Sequence, residues 1–445
     1  MTERTAVPAV RKSRLSLETR IWVSAGSASI GDGLRLVALP LAVAAITRDP
    51  LQVAGLTVAQ RVPALVFALP AGVILDRVDS FRMLVACQRV RVVLMLLLAG
   101  AVAILGLVPS GLVLVAIYAL AALLASMEVF GDIAAQVAVQ LLIADERLEH
   151  TNSRVVAGQM LGEEFLGPPV GGLLFGLGRW PAFVAAGLTY AVSALVLKRR
   201  SRSRPGDGVS VSSPPELESI PISTVSDHNN RLGWRDVSTR IASEAGRGLA
   251  AIVRSRDLLV QALWTSAMNA GNGLVAAVFV LFALEDLDLG GAAFGALLTA
   301  GGIGGVLGAM AAGVVARKVS RQALMVTTSL LASLCTLALG MAPGFVAVFA
   351  LQCVAAFCGV LFSVVARSFR QSITPPELAG RTTSVYRLLS LGAVPLGALV
   401  GGVLATARGP GDAIVFAGTA MVISTLGAAP FLRRKPRGPD TVAPV

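Results

Sequence analysis

Between residues 21 and 432 the chain is a succession of apolar runs separated by short polar connections. The runs lie near 21–46, 53–74, 83–107, 111–140, 153–177, 181–197, 258–284, 291–315, 322–341, 344–366, 384–406 and 412–432. Most reach about twenty residues, the length an α-helix needs to cross roughly 30 Å of hydrocarbon. None alternates apolar and polar positions with period two, which excludes an outer-membrane barrel. The pattern predicts an all-α integral membrane protein of twelve transmembrane helices with both ends on one side.

Composition narrows the class. The 445 residues are 55% hydrophobic and 14% charged, with 46 glycines, against roughly 25% charged in soluble domains. A soluble enzyme is excluded. Glycine at this level suits helices that pack closely inside a bilayer.

The net charge of +12 changes the picture only through its placement. Of the 38 Lys and Arg, eleven lie between Lys198 and Arg256, five precede Ile21 and four follow Leu432. Most others occupy connections on one side: Arg77/Arg82, Arg147/Arg154, Arg317/Lys318/Arg321 and Arg367/Arg370/Arg381. The opposite connections carry Arg48, Arg179 and Arg408. This is the asymmetry that orients membrane helices, and it predicts a multi-pass protein of the cytoplasmic membrane with both termini cytoplasmic. It does not describe a nucleic-acid surface. Cys87, Cys335, Cys353 and Cys358 all fall in apolar spans, and His150 and His228 have no partner ligands. No metal site is expected, and no nucleophile–base set or phosphate loop suggests an enzyme.

The predicted organisation is a cytoplasmic segment 1–20, a six-helix bundle 21–197, a cytoplasmic linker 198–256, a second six-helix bundle 257–432 and a tail 433–445. Residues 199–233 are rich in Ser, Pro, Asp and Arg and read as flexible linker. From Trp234 to Arg256, Val237, Ile241, Leu249 and Ile252 recur at helical spacing with Arg235, Arg240, Arg247 and Arg254 on other faces. That is an amphipathic helix expected on the cytoplasmic leaflet.

The two bundles repeat one another. Leu148–Leu174 matches Leu378–Leu404 at an offset of 230, with Gly167-Pro168-Pro169-Val170-Gly171-Gly172 facing Gly397-Ala398-Leu399-Val400-Gly401-Gly402. Asp32-Gly33-Leu34 corresponds to Asn272-Gly273-Leu274, and Gly72-x-x-x-Asp76-Arg77 to Gly313-x-x-x-Arg317-Lys318. Duplicated bundles joined by a linker imply a transporter that rocks about a central site.

On these residues the chain resembles the major facilitator superfamily. Gly72-Val73-Ile74-Leu75-Asp76-Arg77 resembles its motif A, although Ser80 stands where Arg or Lys is usual and the second copy has Arg317 for Asp. The resemblance implies that Asp76 docks near the start of span 11, where Arg387 would belong to a cytoplasmic gate. Gly167-Pro168-x-x-Gly171-Gly172 resembles the antiporter motif C, with the upstream Gly162 one residue farther than usual. Ile30-Gly31-Asp32-Gly33, Asp49-Pro50-Leu51-Gln52-Val53, Arg61-Val62-Pro63 and Leu148-x-x-x-Asn152 look like the branch of macrolide-type drug pumps and siderophore exporters. The implied fold is two pseudo-symmetric six-helix bundles, and the family expectation is a monomer.

Charges inside spans cost several kcal/mol each on insertion scales and mark function. Asp32 lies near the middle of span 1, with Arg35 close enough to pair. Glu128 and Asp132, four apart in span 4, repel one another, which favours holding a proton as a reversible carrier must. Glu163 and Glu164 point about 100° apart, so one is expected to face the cavity and the other a neighbouring helix. No Asp or Glu lies clearly inside the spans of the second half, where Asn269 and Asn272 stand at the same level. The second half is therefore expected to supply shape and apolar contacts. Together these features predict a proton-coupled exporter of small amphiphilic molecules, powered by the proton gradient without a cofactor. A siderophore, lipid or lysophospholipid transporter of the same fold shares every feature, and a scaffold or sensor shares the spans.

Overall fold

The computed structural model describes residues 17–75, 78–142, 145–198, 246, 249–374 and 379–432. Among them the chain forms twelve helical rods: α1 (Leu17–Ala44), α2 (Pro50–Leu75), α3 (Ser80–Ala103), α4 (Ser110–Leu142), α5, α6 (Pro181–Lys198), α7 (Arg256–Leu281), α8 (Gly291–Lys318), α9 (Arg321–Leu339), α10 (Phe345–Ile373), α11 (Ala379–Arg408) and α12 (Pro410–Leu432). Rod α5 runs through three stretches, Asp145–Met160, a π-helical turn Leu161–Leu166, and Gly167–Leu177. Nine helices among the described residues are long and apolar enough to cross a membrane, and Pro181–Leu197 is a shorter apolar one.

Local chemistry sets the helix ends. Proline opens α2, α6 and α12, where its missing N–H costs nothing. Asp79 caps α3 by accepting from the Phe81 and Arg82 amides. Several helices outrun their apolar stretches. Rod α5 begins at Asp145, and α10 continues to Ile373, because hydrophobicity marks only what faces lipid or core. Leu96, Leu97, Val115, Leu195, Leu396 and Ile423 project outward, an apolar exterior that water would not tolerate and lipid does.

The duplication reappears as packing. In the first half α1 packs on α5 and α6, α3 on α4 and α6, and α2 on α4; in the second, α7 packs on α11 and α12, α9 on α10 and α12, and α8 on α10. The halves meet through two equivalent pairs, α2 with α11 and α5 with α8. Equivalence extends to single glycines. A Cβ on Gly171 would stand 3.0 Å from the Leu34 carbonyl oxygen, and one on Gly401 would stand 3.0 Å from that of Leu274. Gly172 lies against Gly291 and Ala292, and Gly402 against Pro50, Leu51 and Ala54.

The two ends of the bundle differ. At the far end, which carries the α1–α2 connection, one continuous apolar cluster spans both halves and includes Val37, Leu41, Ala54, Val278, Phe294 and Ala398. Arg48 Nη1 also reaches Glu285 Oε1 across the halves at 3.5 Å. At the near end, where α1 begins, the clusters stay within single halves: Leu84, Val85, Ala134 and Leu197 in the first, and Trp264, Met325, Phe362, Phe369 and Met421 in the second. The halves are sealed at one end and parted at the other.

The linker residues 199–245 lie outside the described residues, as do most positions of the expected amphipathic helix. Its last turn, residues 249–254, is helical. There Ile252 is buried against Leu259, Ala262, Val385 and Tyr386. Of the apolar positions of this turn Ile252 is held by protein, whereas Leu249 and Val253 are exposed.

Candidate functional site

Four helices of the first half bring a closed set of charges together. Arg35 on α1 donates from Nη2 to Glu128 Oε2 on α4 at 2.6 Å, and the same nitrogen stands 3.5 Å from Asp32 Oδ1. Arg91 on α3 lies with Nη1 3.6 Å from Asp32 Oδ2. Tyr190 on α6 donates its hydroxyl to Asp32 Oδ1 at 2.7 Å, and the Arg91 guanidinium sits 5.4 Å from the Tyr190 ring centre. Two guanidinium groups thus balance two carboxylates; Arg35, Asp32 and Arg91 are largely buried, where a charge needs a partner, and Glu128 is partly exposed.

This arrangement bears on two expectations. Asp32 and Arg35 do pair, but the closest bond of Arg35 goes to Glu128. Glu128 and Asp132 lie one turn apart on α4 and repel one another, but they differ in their partners. Glu128 turns to Arg35, whereas Asp132 is exposed and makes no ion pair among the described residues. Tyr190 was not legible as a member of the set. Its only sequence signal is that it is one of three tyrosines in the chain, in the middle of an apolar span.

The π-helical turn explains the long spacing upstream of motif C. A π turn absorbs one extra residue into an α-helix and is common at functional sites. Here the turn presses directly on α1. A Cβ on Gly33 would stand 2.6 Å from the Glu163 carbonyl oxygen, and one on Gly162 would stand 2.7 Å from the Ile30 nitrogen. Gly167 meets Gly33 backbone to backbone, while Pro168 and Gly172 turn toward Gly295 and Gly291 of α8. Gly167, Pro168, Gly171 and Gly172 therefore let one helix touch both a partner in its own half and a partner in the other. The two glutamates on the turn separate as expected. Glu163 is half-buried near Asp32, Arg35 and Glu128, and Glu164 faces the space between the halves, its Cβ close beside Gly302 of α8.

That space is part of a cavity of about 1120 Å³ whose lining reaches Arg367, Arg370 and Gln371 toward the near end. Met160 and Glu164 line it from the first half, and α7 to α12 supply the rest. Phe279, Leu298 and Leu339 form apolar wall, while Asn269, Asn272, Gln352, Arg367, Arg370 and Arg387 are polar members of the lining. Asn269 donates to the Ser390 carbonyl oxygen at 2.8 Å and so also ties α7 to α11. The second half contributes more than shape, because helix packing turns Arg367 and Arg370 inward where only a topological role was expected of them. Arg387 is exposed to the cavity. Its motif A partners Asp76 and Arg77 lie outside the described residues, and Gly72 is in the last turn of α2. No group of metal-ligating side chains occurs among the described residues.

Comparison with known proteins agrees with this architecture. A family model described as Major Facilitator Superfamily matches residues 21–271 and 262–445. Among solved structures, a bacterial homologue of the iron transporter ferroportin in an inward-facing state superposes with a TM-score of 0.72 at 13% identity, over 94% of this chain and all of that one. The nucleoside transporter NupG gives 0.70 at 12% identity, over 95% of this chain and all of that one. A POT family transporter in complex with 5-aminolevulinic acid gives 0.67 at 14% identity, over 93% of this chain and 96% of that one. No curated protein matches the chain.

Proposed function

This chain belongs to the major facilitator superfamily, a membrane transporter and not an enzyme, and from that premise we propose that it exports small amphiphilic molecules by proton antiport. The observation that carries the reading is the cavity of about 1120 Å³, lined by α7 to α12 with Met160 and Glu164 of the first half beside them, while an apolar cluster that spans both halves closes the far end. Binding sites at the repeat interface, exposed to one side at a time, are what alternating access requires. The excess of Lys and Arg assigns the near end to the cytoplasm, so substrate enters from inside. Mixed apolar and polar walls suit an amphiphile better than a sugar.

In the proposed cycle Glu164 is the coupling carboxylate. It lies on the cavity wall, at the α5–α8 contact between the halves, and has no cationic partner among the described residues. Glu163 and Asp132 are secondary carriers. Asp32, Arg35, Glu128 and Arg91 hold α1 to α3 and α4. Protonation from outside removes the charge of Glu164 at the interface and lets the halves repack, and release inside resets the pump. The proton gradient is the sole energy source, and the unit is a monomer.

Proton movement in everted vesicles from a pump-deficient bacterium tests this directly. A pH-sensitive dye should report alkalinisation of the lumen on addition of one substrate class, and Glu164→Gln should abolish it with the protein still inserted. No response to any class from folded protein would overturn antiport.

A further inference from the structure

We infer that the cavity is built for anionic amphiphiles, with a carboxylate or phosphate head held by Arg367, Arg370 and Arg387 and an apolar body laid along the deeper wall. This names the substrate class of the transport site proposed above and rests on that reading.

The charge balance of the site carries the inference. Arg367 and Arg370 stand three residues apart on α10, Arg387 stands on α11, and all three line the cavity. None is in an ion pair with a carboxylate among the described residues. Glu164 is the single carboxylate of the lining among the described residues. The other acids near the centre of the first half do not offset the arginines, because Arg35 and Arg91 already take Asp32 and Glu128, and neither Asp132 nor Glu163 lines the cavity. A cationic substrate would meet three positive charges and one negative one. An anion would meet a cluster that has no carboxylate partner among the described residues.

The cluster is also held in place. The Arg370 guanidinium stacks on the Tyr386 ring with its carbon 4.0 Å from the ring centre, and the Tyr386 hydroxyl donates to Thr265 Oγ1 at 2.7 Å. Stacking fixes the plane of a guanidinium and leaves its N–H edge free for a carboxylate or phosphate. Orientation of the protein in a membrane does not need this. Topological arginines have only to lie on the correct side, as Arg317 and Arg321 do, exposed and outside the cavity.

The shape of the site selects an amphiphile over a compact anion. The lining on α10 runs from Gln352 to Gln371, about 28 Å along the helix at 1.5 Å per residue. Arginines occupy its near end, and the lining beyond them includes Phe362, Leu339, Leu298 and Phe279.

The test is equilibrium binding to full-length protein in nanodiscs, with empty nanodiscs subtracted. Radiolabelled laurate is displaced by unlabelled dodecyl phosphate, lysophosphatidate, dodecyltrimethylammonium or dodecyl glucoside, all but the lysolipid sharing one chain. The two anions are expected to compete at least tenfold better than the cation or the glucoside. A better result for lysophosphatidate than for laurate assigns the head to a lipid, and the reverse assigns it to a soluble organic acid. Combined Arg367→Gln and Arg370→Gln should weaken laurate at least tenfold, the paired lysine variants should keep the anion preference, and Arg317→Gln should change nothing. Equal competition by the cation, indifference to both glutamine changes, or no saturable binding of any probe would overturn the inference. Export and charge preference fail separately. Antiport of a lipophilic cation in vesicles would leave export standing and sink this proposal, and saturable anion binding without proton movement would do the opposite.

Discussion

Arg35 is the residue on which the first half's charges depend. It bonds Glu128 at 2.6 Å and also approaches Asp32, whereas Asp32 has Arg91 and Tyr190 as well. The partners are therefore not equivalent. Arg35→Gln leaves Glu128 without its cation, and because that carboxylate is 36% exposed the cost should be about 1 kcal/mol. Glu128→Gln leaves Arg35 with Asp32 and should cost less. Tyr190→Phe removes a hydrogen bond to Asp32 but leaves its ion pairs with Arg35 and Arg91, and should cost about 1 kcal/mol. Thermal unfolding midpoints in detergent should rank Arg35→Gln below Glu128→Gln, and the opposite order would mean that Glu128 is not held by Arg35. Transport by Tyr190→Phe should survive, because the charges stay balanced.

At the scale of helices, small residues decide what can touch. Gly172 and Gly402 occupy equivalent places in the two halves and let α5 reach α8 and α11 reach α2 at the sealed end. A Cβ at Gly172 would collide with the Gly291 backbone, and one at Gly402 would come within 2.9 Å of the Leu51 Cα. Backbone cannot move aside as a flexible side chain can, so leucine at either site must prise the helices apart. Gly172→Leu and Gly402→Leu should each shift the protein toward the state open at the far end. Spin labels at positions 48 and 285, whose native side chains meet across the halves at 3.5 Å, should show a longer and broader distance distribution in both variants. A distribution unchanged from the parent would refute the claim that these glycines close the far end.

For the whole molecule the question is what holds the seal. The Arg48–Glu285 pair crosses the halves, but its side chains are 59% and 36% exposed, and such a pair contributes about 1 kcal/mol or less. The apolar cluster beneath it involves many fully buried side chains from both halves, among them Val37, Leu281 and Leu297. Charge reversal by Arg48→Glu should therefore change the ratio of the two states by no more than about fivefold, less than the glycine variants do. The same label pair moved to neighbouring loop sites measures that ratio. A near-complete switch of state would show the ion pair to be the latch.

Much of this could be read from one sequence because it is local. Span lengths and charge asymmetry follow from what each run of about twenty residues would meet in lipid, and the duplication is a comparison of the chain with itself. Those features determined the fold, the two halves and even the contact glycines, since Gly167, Gly171 and Gly172 need only be matched to Gly397, Gly401 and Gly402. The extra residue before motif C was visible as a length, but its form as a π turn was not, because the turn is stabilised by the close approach of α1 at Gly33. Spacing linked Arg35 to Asp32, but tertiary structure alone decided the pairings between helices. Glu128 is 93 residues from Arg35, and Tyr190 is 158 from Asp32, so no spacing rule links them. It also decided that Arg367 and Arg370 look into a cavity. Which face of a helix meets lipid, protein or substrate depends on the rotation that packing imposes, and hydropathy averaged over a membrane helix carries almost none of that information.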